Sequence, residues 1–375
     1  MNRSEKSHGS GPVSRRAVLR SGALAAGVAT VGALSPGVAN AVDATPVRTD
    51  GTDLVLLGTA AGPTATSERL GIASAVVVRG NVYLVDCGRG AVTQYVRAGL
   101  DPARLKGIFV THLHADHIAD YFNVPMFLAP TALAKTGKLP SIDVYGPPSA
   151  GALPDVPGAK WVAPHRPTPG LADLTRLSNE AFAYSSNAFI AERIGFDPAA
   201  VLRVHEIAVP DVGASPIGDT APVMKPFTVM SNDDVRVTAI LVSHGVVFPS
   251  LAYRFETEHG SVVFSGDTAL TPNIPTLASG ANVLVHEASD PQWWHEHGAS
   301  DEFVKHMRAT HTDVLDLGAV ARQSAVDSLV LSHIGDFQSH HSWQQRAALG
   351  ASRGGYRGKV TVGKDLMRLN VSPRR

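Results

Sequence analysis

The chain has a single cysteine, Cys87, in 375 residues, so it has no internal disulfide and no Cys-rich structural zinc site. It also lacks a long apolar run. The most apolar stretch, Ser21–Leu34, falls short of the about 20 residues that a comfortable membrane-spanning helix needs. Charge of one sign is absent too, because 33 basic residues meet 33 acidic ones. No Lys/Arg run occurs beyond the first 41 residues. A protein that grips a polynucleotide ordinarily shows a basic patch or excess, and this composition offers none. There is no internal repeat and no low-complexity tail.

Ligand-type side chains, by contrast, are concentrated in one place. The run Thr111-His-Leu-His-Ala-Asp-His117 puts His112, His114, Asp116 and His117 within six positions, directly after the apolar stretch Leu105–Val110. Imidazole nitrogen and carboxylate oxygen suit a borderline cation such as Zn²⁺, with Mn²⁺ or Fe²⁺ as alternatives. The spacing i, i+2, i+4, i+5 fits a tight loop leaving a strand rather than one helical face. Such a loop can aim the first two histidines at one metal and the Asp-His pair at a second. A His-rich surface loop is the plainer alternative.

The motif H-x-H-x-D-H resembles the signature of the metallo-β-lactamase superfamily, and the accompanying pattern is most similar to its ribonuclease Z-like and arylsulfatase-like branch. The similarity runs through Leu54–Gly62, Val85-Asp-Cys-Gly88, Ile142–Pro147, Val242-Ser-His-Gly245 with Ala252-Tyr-Arg254, and Ser261–Thr268. It continues through Val285-His-Glu-Ala288, His311-Thr312 and Leu331-Ser-His333. It covers roughly residues 53–150 and 234–335, in the family's order. The resemblance implies an α/β fold: a four-layer αββα sandwich with its metal loops along one edge. Strand-like runs at 53–58, 73–79, 82–86, 107–111 and 142–145, with helices near 90–99 and 116–128, suit its first half. Runs at 234–243, 250–257, 261–266, 282–286, 327–332, 359–362 and 366–371, with helices near 312–323 and 342–349, suit the second.

Asp267, His244 and His333 follow apolar strand-like runs. Taken alone, Asp267 reads as a turn-capping residue and each histidine as polar punctuation. The resemblance gives them roles: His112, His114 and His244 for metal one, Asp116, His117 and His333 for metal two, and Asp267 between them. Two divalent ions, Zn²⁺ first among them, about 3.5–4 Å apart would share a hydroxide that attacks an ester. Asp116 would orient that hydroxide while ligating. His311 resembles the family's non-ligand acid; otherwise it is a helix-start residue making a capping contact. His286 and Glu287 read either as supports of the site or as packing at a strand end. Cys87 reads as a buried small residue, and Trp293–His297 as a polar loop with aromatic anchors rather than a second metal cluster.

Between Pro148 and Asp233 the chain inserts material, expected as a cap over about 149–232. It has a helical pattern across Leu171–Ile194 and a strand-like Val201–Val209. Phe182, Tyr184 and Phe189 are expected mostly to pack this insert onto the core. At the other end, paired Arg15-Arg16, an apolar stretch and Ala39-x-Ala41 resemble a twin-arginine export signal over residues 1–41. The remainder, 42–375, then carries 28 basic and 32 acidic residues. The expected protein is an exported hydrolase of small esters, phosphodiester or aryl sulfate first, with the export machinery as its partner and nucleic acid disfavoured. Only about 20 residues separate the His244 motif from Ser261–Asp267, too few for the basic arm of the tRNA-processing relatives. A lactonase or carboxylesterase of the same fold, or a non-catalytic binding module, are the alternatives. The sequence carries no sign of oligomeric state.

Overall fold

A computed structural model describes residues 50–62 and 64–372. The segment expected as an export signal lies outside the described residues. No described helix is long and apolar enough to cross a membrane.

Fourteen strands build two sheets. The first seven in the chain are β1 (Thr52–Gly58), β2 (Ala73–Val78), β3 (Asn81–Val85), β4 (Leu105–Phe109), β5 (Ile142–Gly146), β6 (Leu202–Glu206) and β7 (Phe227–Ser231). The rest are β8 (Arg236–Leu241), β9 (Leu251–Thr257), β10 (Gly260–Phe264), β11 (Val283–His286), β12 (Ser328–Leu331), β13 (Lys359–Val362) and β14 (Met367–Val371). One sheet has the order β14-β1-β2-β3-β4-β5-β6 and the other β13-β12-β11-β10-β9-β8-β7. In each, a block of parallel strands continues an antiparallel block. The last strand does not stay with its half: β14 leaves the second sheet's neighbourhood and pairs antiparallel with β1, Leu54 opposite Leu369.

The layers follow from the two-residue period of a strand. Leu54, Leu56, Val76, Val78, Tyr83 and Val85 turn to one face and join Val237, Ala239, Tyr253 and Phe255 of the second sheet. Their neighbours Val55, Leu57, Ala75, Val77, Val82 and Leu84 turn to the other, under Tyr95, Val124 and Leu128. Because helices cover that outer face, β2 is apolar or small at every position and fully buried. On the far side of the second sheet lie the helices Asn273–Ala278, Leu317–Gln323 and His340–Gly354, which bury Leu277, Val320 and Trp343. Burying a side chain of that size stabilises by roughly 1.5–3 kcal/mol. The αββα class read from the sequence is what the structure shows.

Three expectations about local structure need correcting. The insert is narrower than 149–232, because β6 and β7 within that span are the edge strands of the two sheets, paired with β5 and β8. Its helical pattern is broken at Phe182, which separates Leu171–Ala181 from Ala183–Ala191. The expected helix 116–128 is instead one turn, Ala115–Ile118, a loop, and a wide turn Val124–Leu128 that runs into Ala129–Thr136. Pro125 and Pro130 lack the N–H that a continuous helix would use there.

Candidate metal centre

The ligand-type residues sit just past the ends of strands from both sheets. His112 follows β4, His244 follows β8, Asp267 follows β10 and His333 follows β12. Two-sheet packing brings these ends to one edge, so residues up to 221 positions apart in sequence become neighbours. Ligand atoms of His112, His114, His244 and Asp267 lie within 4.8 Å of one another, as do those of Asp116, His117 and His333. The seven residues expected as ligands thus come together at one edge, Asp267 grouping with the first set.

Asp267 stands between the sets. Its carboxylate lies 3.9 Å from His112 Nε2 and 3.8 Å from His244 Nε2 on one side. On the other it lies 3.4 Å from His117 Nε2 and 3.4 Å from His333 Nε2. Asp116 Oδ2 is 3.3 Å from His333 Nε2, and His114 Nδ1 is 3.2 Å from His244 Nε2. His112, His117, His244, Asp267 and His333 are buried, whereas His114 is exposed and Asp116 half-buried. The cluster therefore opens to solvent on the His114 and Asp116 side.

Second atoms of the same rings fix which nitrogen is free. His117 Nδ1 donates to Asp86 Oδ2 at 2.8 Å, and Asp86 in turn accepts from the Thr111 N–H and hydroxyl. His244 Nδ1 donates to the Thr310 carbonyl at 2.8 Å. Each bond commits Nδ1, so Nε2 is the nitrogen that faces the cluster and offers a lone pair when the ring is neutral. There His112 Nε2, His117 Nε2 and Asp267 Oδ1 are buried without a hydrogen-bond partner. Buried polar atoms are ordinarily paired, and a converging set of unpaired imidazole nitrogens beside a carboxylate oxygen fits divalent cations.

Electrostatics points the same way. Burial holds His112 well below the ordinary imidazole value and His244 down to about 4, so both are neutral donors of a lone pair. At His117 burial opposes charge, but Asp267 and Asp86 outweigh it and draw the ring well above its usual range. Burial likewise opposes ionisation of Asp116, yet the His333 hydrogen bond and the His117 charge bring it down to about 2. The cluster thus sets neutral imidazoles at His112 and His244 near the ionised Asp116 carboxylate. His333 has φ 47°, a left-handed conformation that costs a non-glycine residue roughly 1–2 kcal/mol.

His311 belongs to neither of those two sets but makes a third group with Asp267 and His333, ligand atoms again within 4.8 Å of one another. Its ring is 5.0 Å from that of His244 and 5.9 Å from that of His333. It ends the helix Asp301–Thr310 instead of starting the next one, which begins at Leu317. The extended segment after it is held by the site itself: Thr312 N donates to Glu287 Oε1 and the Thr312 hydroxyl to the Thr268 carbonyl. His311 Nδ1 faces Glu287 Oε1 at 3.2 Å. Burial disfavours the imidazolium here, but Glu287 prevails and holds the group up to about 9. Glu287 also accepts from Thr268 N, while His286 Nδ1 donates to the Glu287 carbonyl.

Asp86 is a site residue that the sequence reading passed over, although Asp-Cys-Gly at the end of an apolar run is the same kind of signal as Ser-Gly-Asp267. The Cys87 thiol is buried and pushed well up by burial and by Asp86 and Asp120, so it is no nucleophile. Trp293–Glu296 is helical rather than a loop, within Pro291–Glu296 capped by Asp290, and His297 caps its end. His297 stacks on Trp293 at 3.8 Å and donates to its carbonyl, and no second metal-type cluster forms there among the described residues.

A family model described as Metallo-beta-lactamase superfamily matches residues 69–124, the stretch that carries the H-x-H-x-D-H loop. Ribonuclease Z of Mycobacterium bovis BCG is 28% identical over 323 residues, which are 86% of this chain and 99% of that protein. Among solved structures, human tRNase Z, short form, superposes with TM-score 0.56 at 20% identity, over 86% of this chain and 100% of that one. A diphosphatase of the PhnP family superposes with TM-score 0.51 at 16% identity, over 85% and 97%. Residues 69–124 thus match the metallo-β-lactamase superfamily model, within a four-layer fold similar to that of these solved structures.

Proposed function

We propose that this chain is an exported two-metal hydrolase of small phosphodiesters. The observation that carries the reading is the Asp267 carboxylate, which reaches both histidine sets while their partnerless nitrogens converge on it. His112, His114 and His244 would hold one ion, Asp116, His117 and His333 the other, with Asp267 shared; Zn²⁺ suits the donors best. Bound there, the ions would supply a nucleophile at neutral pH and neutralise charge on the reacting phosphoryl oxygens.

The protein's own part is positioning and proton transfer. The ester enters on the exposed side, past His114 and Asp116. Asp116 holds the attacking group in register from its half-buried place. His311, kept protonated by Glu287, gives its proton to the leaving oxygen, a contribution worth about 10²–10⁴-fold. Phosphodiesters lead because a doubly cationic edge favours an anionic tetrahedral centre, and because relatives bear the names ribonuclease Z and diphosphatase.

A small substrate is favoured over RNA. The turn between β9 and β10 is only Glu258-His259, so the connection after the His244 motif has no arm for a polynucleotide. The acidic balance of residues 42–375 adds to this. Export rests on the residue 1–41 pattern alone, and a signal-dependent shift of the chain to the outside of the cell checks it.

The decisive experiment offers the metal-loaded protein a bis-aryl phosphodiester, an aryl phosphomonoester, an aryl sulfate, a lactone and a short pre-tRNA. Preferential cleavage of the phosphodiester supports the reading. Preference for the sulfate or lactone would move the substrate class, and preference for the RNA would overturn it.

A further inference from the structure

The two halves of the cluster are braced differently. The ligands of the first set draw their hydrogen bonds from their own surroundings: His244 from the Thr310 carbonyl, His112 from the Thr111 hydroxyl. Two ligands of the second set instead lean on the turn that follows β1. Gly62 packs so closely on Asp116 that an added Cβ would collide with the Asp116 side chain. Ile334, next to His333, donates to the Thr59 carbonyl at 3.0 Å and accepts from Ala61 N at 3.1 Å. The turn Thr59–Gly62 therefore touches both Asp116 and the His333 loop.

One buried side chain ties that turn down. Arg69, 8% exposed, forms an ion pair from Nε to Asp336 Oδ1 at 2.9 Å, three residues past His333. Its NH1 donates to the Thr59 hydroxyl at 2.6 Å and to the Gly363 carbonyl at 2.8 Å, and its NH2 faces His340 Nδ1 at 3.2 Å. Asp365 completes the knot, accepting from the Thr59 hydroxyl and from Leu70 N. Four chain segments meet on a single guanidinium, whose planar fork reaches them simultaneously as an ammonium could not. The loop so held carries His333 at φ 47°, a conformation that its surroundings must impose.

We infer that Arg69, with Asp336, is a positioning residue for the second metal: it holds the turn and the loop that present Asp116 and His333, and leaves the His112, His114, His244 set untouched. This rests on the two-metal reading above. The consequence is selective. A partner bonded directly to a metal ligand typically contributes 10–100-fold in metal affinity. Arg69 bonds to the segments that carry the ligands rather than to the ligands themselves. Loss of its pair with Asp336 therefore weakens one ion by about tenfold, the low end of that range, and spares the other, whereas a general loss of folding would weaken both.

The test titrates the metal-free full chain with Zn²⁺ against a chromophoric chelator and resolves two successive affinities. Wild type, Arg69→Lys, Asp336→Asn, His333→Ala and His244→Ala are compared, each checked for folding by circular dichroism. The expected result is that Arg69→Lys and Asp336→Asn weaken the ion that His333→Ala removes and leave the ion that His244→Ala removes within about twofold, a change small beside that factor. If Arg69→Lys is not folded, Asp336→Asn alone decides. Two wild-type affinities in a folded variant, or equal weakening of both ions, would overturn the inference. Fewer than two ions on the wild-type chain would instead overturn the two-metal reading.

Discussion

The edge that carries the ligands and the insert that stands beside it obey opposite rules. At the edge, ring after ring has a partner behind it on the side away from the cluster: Asp86 behind His117, Thr310 behind His244, Glu287 behind His311. In the insert, apolar side chains lie open. Tyr184 is 89% exposed, Ile194 70% and Phe189 50%. Of the eighteen large hydrophobics exposed among the described residues, eleven fall between 149 and 232, none of them in β6 or β7. Phe182, Tyr184 and Phe189 thus do not chiefly pack the insert onto the core, as expected from sequence; only Phe182 makes an aromatic contact, with Phe122 at 5.2 Å. The chemistry is built on rigid strand ends, and the variable surface is left to a part that contributes little to the core.

Changing the edge therefore has the largest effect. Asp267→Asn removes the carboxylate that reaches both ligand sets, and turnover should fall by more than the 10–100-fold that loss of a supporting partner costs. Steady-state kinetics with a phosphodiester reads this. His311→Gln should lower kcat by about 10²–10⁴-fold while metal content, measured by elemental analysis, stays at the wild-type value. A parallel loss of metal would place His311 among the ligands instead. Asp86→Ala takes away the acceptor behind His117 and should weaken metal binding by about 10–100-fold in a chelator competition.

The insert marks the other end of the scale. Leu54→Ala in the buried centre of β1 should cost about 2–5 kcal/mol in denaturant unfolding. Tyr184→Ala should stay within about 0.5 kcal/mol, as for an ordinary surface change. A Tyr184→Ala cost near that of Leu54→Ala would mean that the insert is part of the core after all.

What could be read from the sequence follows the same division. Thirteen of the strands were legible because buried sheets demand continuous or alternating apolar runs, while the partly exposed edge strand β7 was not. His112, His114, Asp116 and His117 stood out because four ligand-type residues crowd into six positions, whereas His244, Asp267 and His333 took their roles only from the family resemblance. The pairing of β14 with β1 was not legible, since nothing local in Met367–Val371 says which sheet it joins. The helix Asp301–Thr310 also escaped notice, although Ser300 accepting from Phe303 N is a signature readable at its start. Missing it put His311 at the start of the wrong helix. Arg69 was out of reach for a different reason: its importance lies in a bond to a residue 267 positions away, which only the folded chain brings beside it.

The most direct test of the central claim is the number of divalent ions held by the folded wild-type chain and by Asp267→Asn, measured by equilibrium dialysis with elemental analysis. A shared carboxylate between two ligand sets predicts two ions on the wild type and weakened binding of both on the variant. One ion or none on the folded wild type, or an Asp267→Asn chain that keeps both at undiminished affinity, would contradict it.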